Sequence, residues 1–364
     1  MPQKSDQFYA LCPIGTPITG RQVVSTKVCE IVEERKKHIR IFDYSPNHNP
    51  TLNLTRKFCG IVRKVASAFL ISTSIRNQEN SQSKTELYIA LNDGLALWID
   101  YFVIILTKSK TNRTILHHHS RRYIDKRSMA FSLISKQTYS ANITHIFQCK
   151  ELAKQAEQLY PNLSGQHLAI SNAFTVKPQK YDTTKNNSVF TIGFISNLTI
   201  EKGLDKFFEV ACHAKRLNLD WFFVLAGPAD KPAEALINGF ANESNIKYLG
   251  PVYGDKKELF FRDIDALLFP TSYPAETEGI VVLEAISHGC VVASTKLPCC
   301  VPQLRNNSVL AEIPGDQENW HEEAIVRLNE LRALPNRSKL ATDVFNAAYQ
   351  HSTRSIIDLI ETEQ

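Results

Sequence analysis

The stretch Glu276-Thr-Glu-Gly-Ile-Val-Val-Leu-Glu284-Ala-Ile-Ser-His-Gly289 sets two carboxylates eight positions apart around an apolar run. A buried helix has no use for the first glutamate, and a surface helix has no use for Ile-Val-Val-Leu. The segment therefore reads as a loop that ends on a helix starting near Val281, with Glu284 in its first turn and Gly289 closing it. Amides of Gly279, Ile280 and Val281 at such a helix start could hold a phosphate. Glu284 could then grip a ribose diol with both oxygens, and Glu276 would face the group across the phosphate. Lys202-Gly203, beside another helix start, is a second anion-binding candidate. Gly227 ends the apolar run Phe222–Ala226 and brings a loop to the same kind of strand end. His117, His118 and His119 end a further strand, ahead of Arg121 and Arg122. Alternation puts His118 and His119 on opposite faces. Three adjacent strand residues cannot all face one ion, no cysteine or carboxylate is near, and no metal site is expected.

These groups need elements to carry them. Apolar runs alternate with helical patterns through both halves. Strands are expected at Gln7–Leu11, His38–Tyr44, Phe69–Ser72, Leu87–Leu91, Thr114–His118 and His145–Gln148, with helices at 20–36, 53–65, 94–109, 126–140 and 150–159. A polar stretch at 176–188 reads as a linker. Strands then recur at Val189–Ile195, Trp221–Ala226, Ile246–Leu249, Ala266–Phe269, Val291–Ser294 and Val309–Ile313, with helices at 202–216, 231–242, 255–262, 281–288, 318–332 and 335–349. The expected fold class is α/β, with two doubly wound domains facing across a cleft: 1–175, the linker 176–188, then 189–345. A helix at 346–364 could return to the first domain.

The 364 residues suit two cores, and 43% hydrophobic with 22% charged residues is a globular balance. The start lacks the pattern of a signal peptide, and eight irregularly spaced cysteines fit reduced thiols, so a cytoplasmic setting is expected. Leu87–Ser109 is strongly apolar, but Asn92, Asp93, Gly94 and Asp100 interrupt it, which favours a strand, a turn and a packed helix over a membrane span. Residues 1–175 hold 23 bases against 12 acids, and residues 176–364 hold 19 against 25. A basic first half suits an anionic substrate or membrane surface.

Five ordered segments of the second half resemble the donor-binding domain of retaining GT-B glycosyltransferases of family 4 (glycosyl transferases group 1), the bacterial polysaccharide-biosynthesis type. They are Glu201-Lys202-Gly203, Val224–Pro228, residues 245–252, Asp265–Thr271, and the E-x7-E run Glu276–Ala285. The resemblance implies that Lys202 neutralises the diphosphate of a nucleotide sugar such as a UDP-sugar, and that Glu284 binds its ribose. It implies that Glu276 contacts the sugar, with Gly279, Ile280 and Val281 presenting amides; Asn197 and Gly227 belong to the same donor site. Many members have Arg at Asn197, so one positive charge is missing, and the Gly-Gly-Xaa-Pro-Glu turn is replaced by "TKLPCCVPQL". In the first half, Gly20 stands where the family has a glycine-rich loop, and His119 or His118 stands where a histidine touches the transferred sugar.

The implied reaction is hexosyl transfer from a nucleoside diphosphate sugar to a saccharide or lipid-linked acceptor, with retention. No cofactor, essential metal or nucleic acid is expected, and peripheral contact with an anionic membrane is. A nicotinamide dehydrogenase would need G-x-G-x-x-G after a strand, which the chain lacks. A non-catalytic nucleotide-sugar or glycan-binding relative and a sugar-nucleotide epimerase are the alternatives.

Overall fold

A computed structural model describes residues 6–14, 19–35, 38–45, 53–77, 84–137, 142–180, 189–300, 304, 309–314 and 318–362, with side chains of the 53–77 segment described from Ile61 onward. The chain divides into two compact units, Met1–Thr175 with Ser352–Gln364, and Val176–His351. The second boundary falls inside the helix Arg337–Glu361 rather than at 345.

The first unit holds β1 (Gln7–Cys12), β2 (Ile39–Asp43), β3 (Thr85–Ala90), β4 (Arg113–His117), β5 (Ile143–Phe147) and β6 (Gln166–Ala169), in the order β2-β1-β3-β4-β5-β6. The second holds β7 (Phe190–Ile195), β8 (Trp221–Ala226), β9 (Ile246–Tyr248), β10 (Ala266–Phe269), β11 (Val291–Thr295) and β12 (Leu310–Ile313), in the order β12-β11-β10-β7-β8-β9. Neighbours run parallel in both sheets. Parallel sheets are covered on both faces, so their central strands read as continuous apolar runs; β3, β4, β5, β10 and β11 are buried throughout.

Two expectations need correcting. Phe69–Ser72 is not a strand but lies inside the helix Asn53–Arg76. Its buried positions, Ser67, Ala68, Ile71, Ser72 and Ile75, recur at helical spacing, which a four-residue stretch could not reveal. The edge strand β6 was also missing from that reading: Gln-His-Leu-Ala is half exposed and has neither alternation nor β-branched residues.

The closing helix begins in the second unit, where Arg337 reaches the buried Asp265 carboxylate at 3.1 Å. It ends in the first, where the Arg113 guanidinium donates to the carbonyls of Leu359 and Thr362 and pairs with buried Glu86 at 2.6 Å. A cation against the last carbonyls of a helix is where the helix dipole favours one.

Candidate active site

In the second sheet the strand order reverses between β7 and β10, and ligands of open α/β sheets bind beyond the carboxyl ends of strands at such a point. The loops leaving these two strands are fastened to each other. Thr199 caps a short turn by accepting the Lys202 amide, and Gly203 then adopts φ 88°. A Cβ on Gly203 would lie 2.2 Å from the Pro270 carbonyl, so only glycine lets the two loops approach this closely. The Ser272 amide donates to the Glu201 carbonyl at 2.9 Å, and the Ser272 hydroxyl does so at 3.1 Å.

This seam brings Lys202 Nζ to 2.7 Å from Glu276 Oε2 and 4.2 Å from the centre of the Tyr273 ring. Both charged side chains keep nearly a fifth of their surface exposed. Gly279, with φ 70°, opens the helix Ile280–Ser287, whose first amides have no acceptor within the helix. Glu284 lies in the second turn of that helix rather than the first, and its Oε1 meets Lys257 Nζ at 2.6 Å. Lys257 comes from the helix Asp255–Asp263. Asn197 is exposed on the loop after β7. Gly227 donates its amide to the Gly250 carbonyl, and a Cβ there would meet the Ser196 carbonyl at 1.8 Å. Close packing of the β7 and β8 loops thus accounts for this glycine. Asp265 lies at the opposite end of β10, where its carboxylate accepts the Thr191 amide.

The first unit assembles a different set. Gly20 starts the helix Gly20–Arg35, capped by Gln22 accepting from the Thr19 amide and hydroxyl; residues 15–18 of the expected glycine-rich loop lie outside the described residues. His118 is fully enclosed, its Nδ1 on the Tyr123 hydroxyl, its Nε2 on His145 Nδ1 at 2.9 Å, and its ring stacked 4.0 Å from Phe147. His117 is equally buried and bonds the Tyr88 hydroxyl. His119 alone of the three is partly exposed; its ring lies 4.2 Å from that of His117, and its Nε2 has no hydrogen-bond partner. Burial lowers all three imidazoles, His117 to about 3; for His119 the neighbouring His117 and the Arg21 guanidinium add to it.

Sequence reasoning missed Lys257, Tyr273 and a polar knot beyond β3. In that knot Asn92 Oδ1 accepts from Arg21 at 3.0 Å and from Lys64 at 2.6 Å, while its amides donate to buried Asp100. Burial raises the Asp100 carboxyl to about 6 and lowers Lys64 to about 8. Nothing in "GDKKELFF" marks Lys257 apart from its neighbour Lys256; only the fold aims it. Among the described residues one cluster has the ligand types for a metal, His213, His321 and Glu322, and there the Arg216 guanidinium already donates to His213 Nδ1.

Two six-stranded parallel sheets with helices around them, a switch-point seam in one and buried histidines in the other, define a GT-B fold of two Rossmann-like domains. Solved structures of the same fold include Anabaena HepE in complex with UDP (TM-score 0.65, 12% identity, 97% of this chain and 98% of that one). A Rickettsia africae glycosyltransferase superposes with TM-score 0.67 at 12% identity over 99% of this chain and 100% of the other. Residues 176–341 match the family described as "Glycosyl transferases group 1". A Klebsiella pneumoniae protein described as an uncharacterized 42.6 kDa protein in the cps region is 33% identical over 131 residues. That stretch covers 34% of this chain and 33% of the relative, so the chain spans about a third of that protein's length.

Proposed function

We propose that the chain transfers a hexosyl group from a nucleoside diphosphate sugar to a saccharide or lipid-linked hydroxyl, keeping the anomeric configuration. The observation that carries this reading is the Lys202–Glu276 pair beside a free helix start at the β7/β10 switch point. An incoming diphosphate takes Lys202 and the amides of Gly279, Ile280 and Val281. Glu276 is then released to sugar hydroxyls, and Glu284, released from Lys257, takes the ribose. As the glycosidic bond to the diphosphate breaks, negative charge grows on the leaving group, and Lys202 and these amides are already aimed at it. In this reading they supply the charge that a metal supplies elsewhere, so turnover is expected to survive a chelator. His119 serves the sugar side; His118 has both ring nitrogens committed to the core. The family match over 176–341 and the UDP held by HepE support the donor class.

The test is thermal unfolding with a panel of nucleotide sugars and free nucleotides, followed by release of nucleotide on adding acceptors. A ligand that binds only the native state raises its stability, by about 2.7 kcal/mol at a hundredfold excess over Kd. One donor should shift the parent, and that shift should vanish in Lys202→Ala and in Glu284→Ala. A donor shift with no nucleotide release for any acceptor would favour the non-catalytic binder, to which the missing charge at Asn197 already points. No shift for a folded protein would sink the reading.

A further inference from the structure

The helices Leu204–Arg216 and Trp320–Ala333 pack together over the second sheet, through Val210, Ala211 and Ala214 on one and Ala324, Ile325 and Leu328 on the other. At the surface of this contact, the last turn of the first helix brings His213 against His321 and Glu322 from the first turn of the second. The two imidazole rings meet edge to face, with centres 4.7 Å apart. One ligand atom from each of the three side chains lies within 4.8 Å of the other two. Both histidines are partly exposed and the glutamate is exposed, while the buried residues beneath hold the two backbones in place.

Two imidazole nitrogens and a carboxylate thus face one another. Neither the His321 ring nor the Glu322 carboxylate takes part in a hydrogen bond or ion pair among the described residues. His213 does: Arg216 Nη2 lies 3.1 Å from its Nδ1, and arginine can only donate, so Nδ1 accepts and Nε2 carries the ring proton. Burial first, and the neighbouring His321 next, hold the His213 imidazole below its ordinary value. That favours the neutral ring a metal ion requires.

We propose that His213, His321 and Glu322 form a site for a zinc-class divalent ion, with water in the fourth position, and that Arg216 occupies His213 until the ion arrives. Two imidazoles and a carboxylate are ligands that zinc takes in tetrahedral sites with one place open. Metal–nitrogen bonds of about 2.1 Å set such ligand atoms roughly 3.4 Å apart, so the three must close by up to roughly 1.4 Å. Rotation of three partly exposed side chains supplies that movement with the helices fixed. Arg216 is itself exposed and swings into solvent. The bound ion ties the two helices together. His213 is three turns along its helix from Lys202, roughly 16 Å at about 1.5 Å per residue, so the site is separate from the β7/β10 seam. The proposal does not rest on the donor reading.

The experiment is titration of the chelator-stripped, reduced full chain with zinc chloride against a zinc-binding dye, with melting curves recorded alongside. One equivalent of zinc should bind and raise the melting temperature. His321→Ala and Glu322→Gln should each weaken binding by at least about tenfold, since losing a ligand costs no less than losing a supporting partner. Without zinc their melting curves should match the parent, because both positions are partly or fully exposed. Arg216→Ala removes a competing donor and a positive charge, and should tighten binding about three- to tenfold. Absence of zinc binding would overturn the proposal. So would parental affinity in both His321→Ala and Glu322→Gln, since the ion would then sit on other ligands such as the cysteines. A weaker site in Arg216→Ala would overturn the assigned competition, because a donor that blocks a site cannot also strengthen it.

Discussion

The two units finish their strands with opposite kinds of polar group. Beyond β7 and β10, Lys202, Glu276, Lys257 and Glu284 form ion pairs that keep 18 to 33% of each side chain exposed. At the end of β4 and within β5, His117, His118 and His145 are buried to within 1%, enclosed by Tyr88, Tyr123, Phe131 and Phe147. A ligand can exchange for either partner of an exposed pair at little cost. It cannot reach a histidine pair sealed by aromatic rings. The polar groups at the strand ends are therefore open to exchange in one unit and part of the core in the other, and burial decides which.

The largest expected consequence is in acid. Burial holds His117 and His145 at about 3, whereas an unfolded histidine titrates near 6.5. The unfolded chain binds protons that the folded one refuses, so the stability these groups contribute is complete above about pH 6.5. It is lost as pH falls toward 3, by up to about 1.4 kcal/mol per pH unit for each histidine. Asp100, raised to about 6 by burial, gains its proton first in the folded state and offsets part of this loss between about pH 6 and 4. Urea unfolding near pH 7.5 and near pH 5.5 should show the first unit weakening more than the second. Trp98 reports on the first and Trp221 with Trp320 on the second, so variants retaining one or the other separate them. Equal losses would dissolve the contrast.

The adjacent histidines sharpen it. His118→Ala removes a stacked core ring and leaves His145 Nδ1 unpaired, and should cost about 2 to 4 kcal/mol of stability. His119→Ala should cost under about 1 kcal/mol. Its effect belongs on turnover, down about ten- to a hundredfold if the ring serves the transition state. Paired melting curves and initial rates decide between them. A reversed pattern would make His118 the functional ring.

Much of this fold is legible in the sequence, because buried parallel strands are short apolar runs with few other uses: β1, β8 and β10 fall within a residue of expectation. Phe69–Ser72 misled because three apolar residues and a serine carry no period, and β6 because an edge strand is under no pressure to be apolar. In the site, Glu276 and Gly279 were legible because they are neighbours in one loop, and Lys202 because it precedes a glycine at a helix start; the pairing of Lys202 with Glu276 across 74 positions was not. Lys257 was not, since its link to Glu284 spans 27 positions and exists only once a helix has turned it there. The choice between His118 and His119 was likewise hidden. Alternation says that they face apart, but only the packed helices say which side is sealed.

The smallest expected effect tests whether the seam is short of charge. Asn197 is exposed on the loop after β7, so Asn197→Arg meets no packing cost. If a donor diphosphate settles on Lys202 and the Gly279–Val281 amides, a second cation there should tighten donor binding about three- to tenfold, and more at low salt. The melting temperature without donor should stay unchanged, because no group in the folded protein gains or loses a partner. An unchanged affinity would mean that Lys257 leaves Glu284 and supplies the second charge itself. Lys257→Ala measured with and without Asn197→Arg separates the two cases: rescue by the new arginine in the Lys257→Ala background alone would place Lys257 on the diphosphate and leave the ribose to Glu284 unaided.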